Sequence, residues 1–378
     1  MMYMSDVQTN HGNGRNVVLI TGSSGLLGTA LSRKLSTHFH VLGLDRAPAR
    51  NGAPAQHVYL DLSSPDSLDT ALKFVQATHG TRLASVVHLA RYFDCSGRPN
   101  PLYDKVNVQG TEALLFALKR FDVEQFVFAS TMLVHAPTEP GLALNEGSAL
   151  GPRWVYPESK LNAEELIRRH HGDVPIAILR LAEIYDDECH SPLLARQIQR
   201  IYEKRLVGHV FTGNPKHGQA MLHLDDAADA LAVTVARRAE LPAETTLLIG
   251  EASVTSYGEL QRDLGQLIHG SAWDTHAVPN AIAKAGAWLQ GRLPHSESFL
   301  RPSMIDRAGE HYELDTQRAR ELIGWSALRR LGASLPRMIE VLHGEPRFFY
   351  ETNELEPPSW MKRSPPRPPR ANAHHVAT

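Results

Sequence analysis

The residues best suited to chemistry are Tyr156 and Lys160, which lie four positions apart at the start of a predicted helix. This spacing places both side chains on one helix face. A phenol has an ordinary pKa of about 10 and is a poor base at neutral pH, but a neighbouring ammonium favours the phenolate. Such a pair can move a proton to or from a hydroxyl or carbonyl while a nicotinamide moves the hydride.

The alternative is an incidental Tyr and Lys on a surface helix, and the four-residue pattern by itself favours that alternative. Thr131 changes the balance, because it closes the preceding predicted strand and offers a short hydroxyl beside the pair. That hydroxyl is suited to bonding a substrate oxygen. The three residues together predict an acid/base site.

A second chemical motif is the turn that follows the apolar run Val17–Ile20. The run predicts a buried parallel strand, and leucines at helical spacing follow the turn. A strand that turns through glycines into a helix presents free N–H groups to an anion, which favours a bound dinucleotide over a purely structural turn. The residues predicted to line the cofactor here are Gly22, Ser24, Gly25, Leu26, Leu27 and Gly28.

Asp45 ends the next apolar run, about 20 residues after the glycine turn. A carboxylate at that place is suited to meet the 2′-hydroxyl of a ribose and repels the 2′-phosphate of NADP. NAD is therefore the expected cofactor, although Arg46 beside Asp45 could soften the preference.

Short apolar strands alternate with amphipathic helices from Asn16 to about Arg180. This alternation predicts an α/β fold, a Rossmann-type doubly wound parallel sheet covered on both faces. Ligands of such sheets bind beyond the carboxyl ends of the strands. The strand-ending residues of interest are Gly22, Asp45, Asp61, Leu89, Ala90, Ser130, Thr131 and Arg180.

The rhythm changes from Ile184 onward, which predicts a smaller, discontinuous C-terminal substrate lobe with helices that include Asn280–Leu289 and Thr316–Ile323. In the proline- and arginine-rich end, only the aromatic residues at 348–350 are expected to pack on that lobe. The expected domains are a flexible N-terminus (1–15), an NAD-binding Rossmann domain (16–183, with 221–250 returning to it), a substrate lobe (184–220 and 251–344) and a largely disordered C-terminal extension (345–378).

The composition restricts the possible partners. The 378 residues carry a formal net charge of −2, so no basic field invites nucleic acid or a membrane surface. No apolar run is long enough to span a bilayer, and residues 1–15 lack the apolar core of a signal peptide. Cys95 and Cys189 have no paired spacing and the 20 histidines are scattered, which predicts a cytoplasmic protein without a metal site.

Seven motifs follow one another in a specific order: Thr21-Gly-x-x-Gly-x-x-Gly28, Asp61-Leu62, His88-Leu89-Ala90, Asn107-Val-Gln-Gly110-Thr111, Ser130-Thr131, Tyr156-Pro-Glu-Ser-Lys160 and His223-Leu224-Asp225-Asp226. This ordered set resembles the extended short-chain dehydrogenases/reductases. The chain looks like a member of the NAD-dependent epimerase/dehydratase group over roughly residues 16–343. The resemblance implies an NAD(P)-binding domain, a small substrate lobe and a homodimer formed through two helices of each subunit.

The resemblance also implies residue roles. Tyr156 would be the acid/base, Lys160 its pKa-lowering and ribose-binding partner, and Thr131 the third member of the triad. The other residues implied at the cofactor are Asp61 at the adenine, Leu62 through its backbone, and Leu89 and Ala90 along the pyrophosphate–nicotinamide path. Asn107 belongs to a family motif, and a helix-stabilising role and a functional role are both open.

Several positions depart from the family pattern. Sugar-nucleotide dehydratases of the group carry Asp-Glu after the threonine, whereas Met132 and Leu133 follow it here, which argues against dehydration. Gln219 stands where an arginine commonly grips a phosphate, which weakens a nucleotide-sugar assignment without excluding it. The arginines that could substitute are Arg196, Arg301 and Arg307. The loop at 134–136 is also unusual, and Arg91 and Tyr92 face either the substrate or solvent.

The sequence thus predicts an NAD-dependent oxidoreductase or epimerase that acts on a hydroxyl- or keto-bearing small molecule. A dehydrogenase/reductase is slightly favoured over an epimerase, and a nucleotide-sugar epimerase is the first alternative. A non-catalytic NAD(H)-binding sensor or assembly protein is the second, and the complete set of Tyr, Lys and Thr argues against it.

Overall fold

The structure is a computed structural model that describes residues 16–48, 54–94, 97–278 and 309–362. Its strands are β1 (Val17–Thr21), β2 (His40–Asp45), β3 (Gln56–Tyr59), β4 (Arg82–Leu83), β5 (Ser85–His88), β6 (Asp122–Val123), β7 (Phe126–Thr131), β8 (Ile176–Leu181), β9 (Glu183–Tyr185), β10 (Val210–Thr212), β11 (Met221–His223), β12 (Glu244–Ile249) and β13 (His276–Val278).

A seven-stranded sheet in the order β3-β2-β1-β5-β7-β8-β12 forms the centre, and every pair in it is parallel. The chain starts in the middle at β1, builds outward to β3, and then returns to the other side of β1 with β5. The order reverses between β1 and β5, and a crevice at such a point is where doubly wound sheets bind ligands. The predicted α/β doubly wound fold is confirmed.

The helices of the described residues are α1 (Leu26–Leu35), α2 (Pro65–His79), α3 (Gly110–Leu118), α4 (Val155–His170), α5 (Pro192–Tyr202), α6 (Leu224–Ala236), α7 (Tyr257–His269), α8 (Gln317–Ile323), α9 (Leu331–Gly344), α10 (Pro346–Thr352) and α11 (Ser359–Lys362). A π-helical turn (Tyr103–Gln109) leads into α3, and 3₁₀ turns lie at Met132–Val134 and Leu206–His209.

The two faces of the sheet are covered by different helices. Successive residues of a strand point to opposite faces. Val18 and Ile20 accordingly belong to the apolar cluster that contains residues of α1, α6 and α8, whereas Leu19 belongs to the cluster with α2, α3 and α4. Because both faces are buried, the central strands are apolar almost without interruption.

A third apolar cluster lies outside the sheet and joins α5, α7, α9 and α10. Two short parallel pairs, β9 with β11 and β10 with β13, also lie outside the seven strands. The predicted helix Thr316–Ile323 is present from Gln317. The segments 1–15 and 363–378, the predicted helix Asn280–Leu289, and Cys95, Arg301 and Arg307 lie outside the described residues.

In the C-terminal extension, packing is expected for the aromatic residues at 348–350 and disorder for most of the rest, whereas the structure continues the packing as far as Met361. Phe349 and Tyr350 of α10 are fully buried in the third cluster, and Leu355 and Met361 belong to the same cluster. The Tyr350 hydroxyl also donates to Glu203 Oε1 at 2.7 Å. These apolar contacts offset the entropy of ordering a proline-containing segment, a contribution that its composition concealed.

The two adjacent phenylalanines of α10 provide a matched test of this packing. Phe349 is fully buried whereas Phe348 is 39% exposed. We expect Phe349→Ala to lower the free energy of unfolding by about 3–5 kcal/mol and Phe348→Ala to lower it by less than about 1 kcal/mol. Urea unfolding followed by circular dichroism measures both. Equal, small effects would show that the segment does not contribute to the folded core.

Candidate active site

The glycine turn brings the carboxyl ends of β1 and β5 into close contact. Gly22 has φ +73°, a left-handed conformation that glycine adopts readily, and a Cβ there would lie 2.7 Å from the backbone nitrogen of Ala90. A Cβ at Gly28 would overlap the carbonyl oxygen of Gly22. The Leu89 N–H donates to the Thr21 carbonyl at 3.1 Å, which holds the two strand ends together. Side chains at Gly22 and Gly28 would therefore force this junction apart.

The start of α1 fits the pyrophosphate of a dinucleotide. Gly25 is the N-cap of α1 and no side chain caps the helix, so the first N–H groups of the helix, at Leu26 and Leu27, have no intrahelical acceptor. Leu26 is exposed, and a Cβ at Gly25 would meet only the Gly22 oxygen, at 3.4 Å. Open space over unpaired N–H groups and the positive end of a helix suits an anion.

Asp45 ends β2 and Asp61 follows β3, at the same edge of the sheet as the glycine turn. Asp45 Oδ2 accepts from the Ser24 N–H at 3.0 Å, which joins the end of β2 to the glycine turn. Asp61 Oδ1 accepts from the Ser63 N–H and hydroxyl at 2.8 and 2.7 Å. Burial raises the pKa of the Asp61 carboxyl, but the Ser63 hydrogen bonds outweigh it and the pKa falls below its ordinary value. The residue after it, Leu62, is buried. Their roles at the cofactor stay predictions.

Tyr156 lies in the first turn of α4 and reaches toward the loop after β5. Its side chain is 6% exposed, and its ring packs against Phe93 and Trp154 with centroids 4.9 and 5.5 Å away. The Arg91 Nη1 donates to the Tyr156 Oη at 3.0 Å. Arg91 directly follows Ala90. The phenol is thus next to the loop that also contacts the glycine turn.

Lys160 is one turn further along α4 and is almost completely buried. Its Nζ lies 3.8 Å from the ring centroid of Phe128 on β7. Burial and, secondarily, the charge of Arg91 lower the pKa of Lys160 to about 7, while Glu164 opposes them. A buried ammonium of this kind gains from any ligand oxygen that can accept from it.

Thr131 ends β7, three residues after Phe128, and is 7% exposed. Its Oγ1 accepts from the Leu133 N–H at 3.3 Å and so begins the 3₁₀ turn Met132–Val134. Thr131 at the end of β7 and Arg91, the hydrogen-bond partner of Tyr156, after the end of β5 therefore lie at the carboxyl edge of the sheet. Lys160 contacts Phe128 and Tyr156 contacts Arg91. Thr131 ends the strand that contains Phe128.

His88 is buried and links β1 to α3, a role that its position in the His88-Leu89-Ala90 motif did not predict. Its Nε2 lies 2.9 Å from Thr111 Oγ1, which donates its own proton to the Asn107 carbonyl. Thr111 must therefore accept from Nε2–H, and Nδ1 accepts from the Thr21 hydroxyl at 2.6 Å. Burial, together with the charge of Lys160, lowers the pKa of His88 to about 3. A neutral histidine thus ties β1 to α3.

Asn107 positions the loop that carries Arg91. Its Oδ1 accepts from the Tyr92 N–H at 2.7 Å, and its Nδ2 donates to the Tyr92 carbonyl and to Ser159 Oγ at 3.1 and 3.0 Å. The Ser159 hydroxyl then donates to the carbonyl of Tyr156 at 2.7 Å. Asn107 therefore does more than stabilise its own helix, because it bridges the loop to α4.

Arg180, marked in the sequence as a strand end, forms a buried ion pair instead of facing a ligand. Its Nη2 lies 2.7 Å from Glu164 Oε2, and both side chains are almost completely buried. Glu164 Oε1 also accepts from the Ser130 hydroxyl at 2.5 Å. Burial raises the pKa of Glu164, but Arg180 and Ser130 together lower it by more. The pKa therefore falls below its ordinary value, and the carboxylate stays ionised. This pair supports the strand end that leads to Thr131.

His135, in its neutral form, contacts Arg180 and so also supports the end of β7. Arg180 Nη1 lies 2.9 Å from His135 Nε2, and an arginine can only donate, so Nε2 is unprotonated and Nδ1–H donates to the Ser148 carbonyl at 3.1 Å. Burial, and then the charge of Arg180, lowers the pKa of His135 to about 4.

Within the residues that the structure describes, no helix has the length and apolar character needed to cross a membrane. No group of three or more His, Cys, Asp or Glu side chains in the same residues is arranged to hold a metal ion.

Known proteins provide an independent comparison. The model of the family described as "NAD dependent epimerase/dehydratase family" matches residues 18–250. A putative UDP-glucose 4-epimerase of Methanocaldococcus jannaschii is 25% identical over 255 residues, which cover 65% of this chain and 80% of that protein. Short-chain dehydrogenase/reductase family 42E member 1 of Bos taurus is 24% identical over 349 residues, or 84% of this chain and 86% of the relative.

Among solved structures, a UDP-glucuronic acid 4-epimerase from Bacillus cereus in complex with UDP-glucuronic acid and NAD superposes with a TM-score of 0.66 at 19% identity. The match covers 87% of this chain and 99% of that one. At this identity the likeness supports the fold.

The neutral state of His135 leads to an acid-sensitive stability. In the unfolded chain a histidine takes up its proton near pH 6.5, whereas folded His135 does so only at about pH 4. Stability is therefore lost as the pH falls from about 6.5 toward 4. We expect the loss between pH 7 and pH 5 to be smaller by about 2 kcal/mol in His135→Gln, as measured by urea unfolding. An identical pH dependence in both proteins would show that His135 titrates normally when folded.

Proposed function

Since this chain belongs to the NAD-dependent epimerase/dehydratase family, we propose that it is an NAD-dependent oxidoreductase or epimerase of the extended short-chain type. NAD is the cofactor of this family. Its substrate would be a hydroxyl- or keto-bearing small molecule. The observation that carries the proposal is the 3.0 Å hydrogen bond between Arg91 and Tyr156, because it joins the proposed acid/base to the loop that contacts the glycine turn.

The proposed chemistry divides the work among three side chains. NAD, when bound, supplies the hydride acceptor for oxidation, and its reduced form supplies the hydride for reduction. In oxidation, Tyr156 Oη takes the proton of the substrate hydroxyl as the carbon–oxygen bond becomes a carbonyl. The Thr131 hydroxyl orients the same substrate oxygen. The Lys160 ammonium, one turn further along α4, would favour the deprotonated phenol and hold the ribose hydroxyls.

A dehydrogenase or reductase is slightly favoured over an epimerase, although relatives of both kinds align over most of this chain. Both reactions use the same acid/base, so epimerisation is the alternative. The residue at position 219 favours epimerisation of other small molecules over that of a nucleotide sugar. The backbone of Gln219 is bridged to Tyr312, and a neutral amide there cannot pair ionically with a pyrophosphate.

Two other assignments have less support. Dehydration lacks acidic groups after Thr131, because Met132 is buried and apolar and Leu133 packs against the same apolar cluster. A non-catalytic NAD(H)-binding role does not account for the complete set of Tyr156, Lys160 and Thr131 in the sequence. The homodimer and the cytoplasmic location stay predictions.

Removing the phenolic hydroxyl tests the proposed acid/base. We expect Tyr156→Phe to lower turnover by about 100-fold or more while NAD still binds, since the ring remains but the transferable proton is lost. The substrate comes from thermal-shift screening in the presence of NAD. Tyr350→Phe, which removes a hydroxyl from α10, is the matched control and keeps full turnover. Near-normal turnover in Tyr156→Phe would mean that the proton leaves by another route.

Asp45 tests the cofactor preference. Its carboxylate, next to the glycine turn, would repel the 2′-phosphate of NADP(H). We expect NADH to bind at least about tenfold more tightly than NADPH, and Asp45→Ala to narrow that gap. Fluorescence titration of the unaltered protein and the variant measures both affinities. Equal affinities in the unaltered protein would contradict the assignment of Asp45.

A further inference from the structure

Two histidines lie against each other at the edge of the sheet opposite to the proposed active site. His40 is the first residue of β2, and His79 is the last residue of α2. Their ring centroids are 4.8 Å apart, and the ring planes are inclined by 34°. His40 pairs with Val17 at the amino end of β1, whereas the glycine turn follows the carboxyl end of that strand. The histidine pair is therefore separate from the groups assigned to NAD and to the acid/base.

The Nε2 atoms of both rings are buried without a hydrogen-bond partner. Each is shielded from solvent, and neither finds a donor or acceptor among the described residues. Nearly all buried polar atoms in proteins are hydrogen-bonded, and a buried one without a partner is costly. Two such atoms on rings in contact are explained by one group that binds both.

The electrostatics of this place favour a cation as that group. Burial and, secondarily, the charge of His40 lower the pKa of His79. The neutral imidazole is the form that binds metal ions. His79 also lies in the last turn of α2, a helix of 15 residues, whose carboxyl end carries the negative pole of the helix dipole. A positive ion is thus favoured by the protonation state of His79 and by its position.

The separation of the two rings fits a shared metal ion. An imidazole nitrogen binds Zn²⁺ at about 2.0–2.1 Å, which places the ring centroid about 3.2 Å from the ion. Two rings at that distance whose centroids are 4.8 Å apart meet at the ion at an angle of about 100°. This angle lies between those of neighbouring ligands in square-planar and tetrahedral sites. Imidazole nitrogen suits zinc, copper and nickel rather than magnesium or calcium.

We propose that His40 and His79 form a binding site for a divalent transition-metal ion of the zinc and copper class, held by their two Nε2 atoms. No set of three His, Cys, Asp or Glu side chains in the described ranges is arranged around a metal position, so water would occupy the remaining coordination positions. Such an ion would join the start of β2 to the end of α2. The proposal does not depend on the function proposed for Tyr156.

Copper and zinc binding test this site directly. The chain has 20 histidines, so single-residue variants must locate the binding. We expect the electron paramagnetic resonance spectrum of one equivalent of Cu²⁺ to show coupling to two nitrogens, and His40→Phe or His79→Phe to remove it. By calorimetry, either variant weakens Zn²⁺ binding at least about tenfold. His38→Gln, which removes an exposed histidine two positions before His40, leaves both results unchanged.

A second measurement separates loss of the site from loss of the fold. Zn²⁺ raises the melting temperature of the unaltered protein, because the ion binds the folded state. His79→Gln keeps a polar side chain and loses this rise while its circular dichroism spectrum stays unchanged. The absence of Zn²⁺ binding, equal Zn²⁺ affinity in the two phenylalanine variants and the unaltered protein, or nitrogen coupling that persists in the double variant would each overturn the proposal. Mg²⁺ that displaces Zn²⁺ would overturn the assigned class of ion.

Discussion

The structure depends on the contact between the carboxyl ends of β1 and β5. Gly22 and Ala90 approach so closely there that a single Cβ at Gly22 would clash with the Ala90 backbone. This close contact determines the positions of the two parts of the proposed site. On one side the chain turns into α1 and presents helix N–H groups, and on the other it continues into the loop that carries Arg91 to Tyr156. One backbone junction thus lies between the glycine turn, which is the proposed cofactor site, and Tyr156, the proposed acid/base.

Neutral and ionic buried groups keep that junction in place. His88 joins the end of β1 to α3, Asn107 joins the following loop to α4, and the pair of Glu164 and Arg180 supports the end of β7. Each of these groups is almost completely buried, and a buried polar group that loses its partner is strongly destabilising. The elements of the proposed site thus depend on these buried partners for their positions.

The fold could be predicted because apolar runs such as Val17–Ile20 and helical spacing such as Leu31 and Leu35 report burial directly. The glycine turn and the Tyr156–Lys160 pair could be found because their spacing is local. The role of Asn107 could not be predicted. Two of its hydrogen bonds are to backbone atoms of Tyr92, and the third is to Ser159, which is distant along the chain. The ion pair of Arg180 and the packing of Met361 likewise arise only from tertiary contacts, which composition does not encode.

The central claim is that this junction brings NAD to Tyr156, and the crystal structure of the NAD complex tests it most directly. The account predicts pyrophosphate oxygens on the N–H groups of Leu26 and Leu27, with the nicotinamide ribose within hydrogen-bonding reach of Lys160 Nζ and Tyr156 Oη. A pyrophosphate bound away from the start of α1, or a nicotinamide directed away from Tyr156, would contradict it.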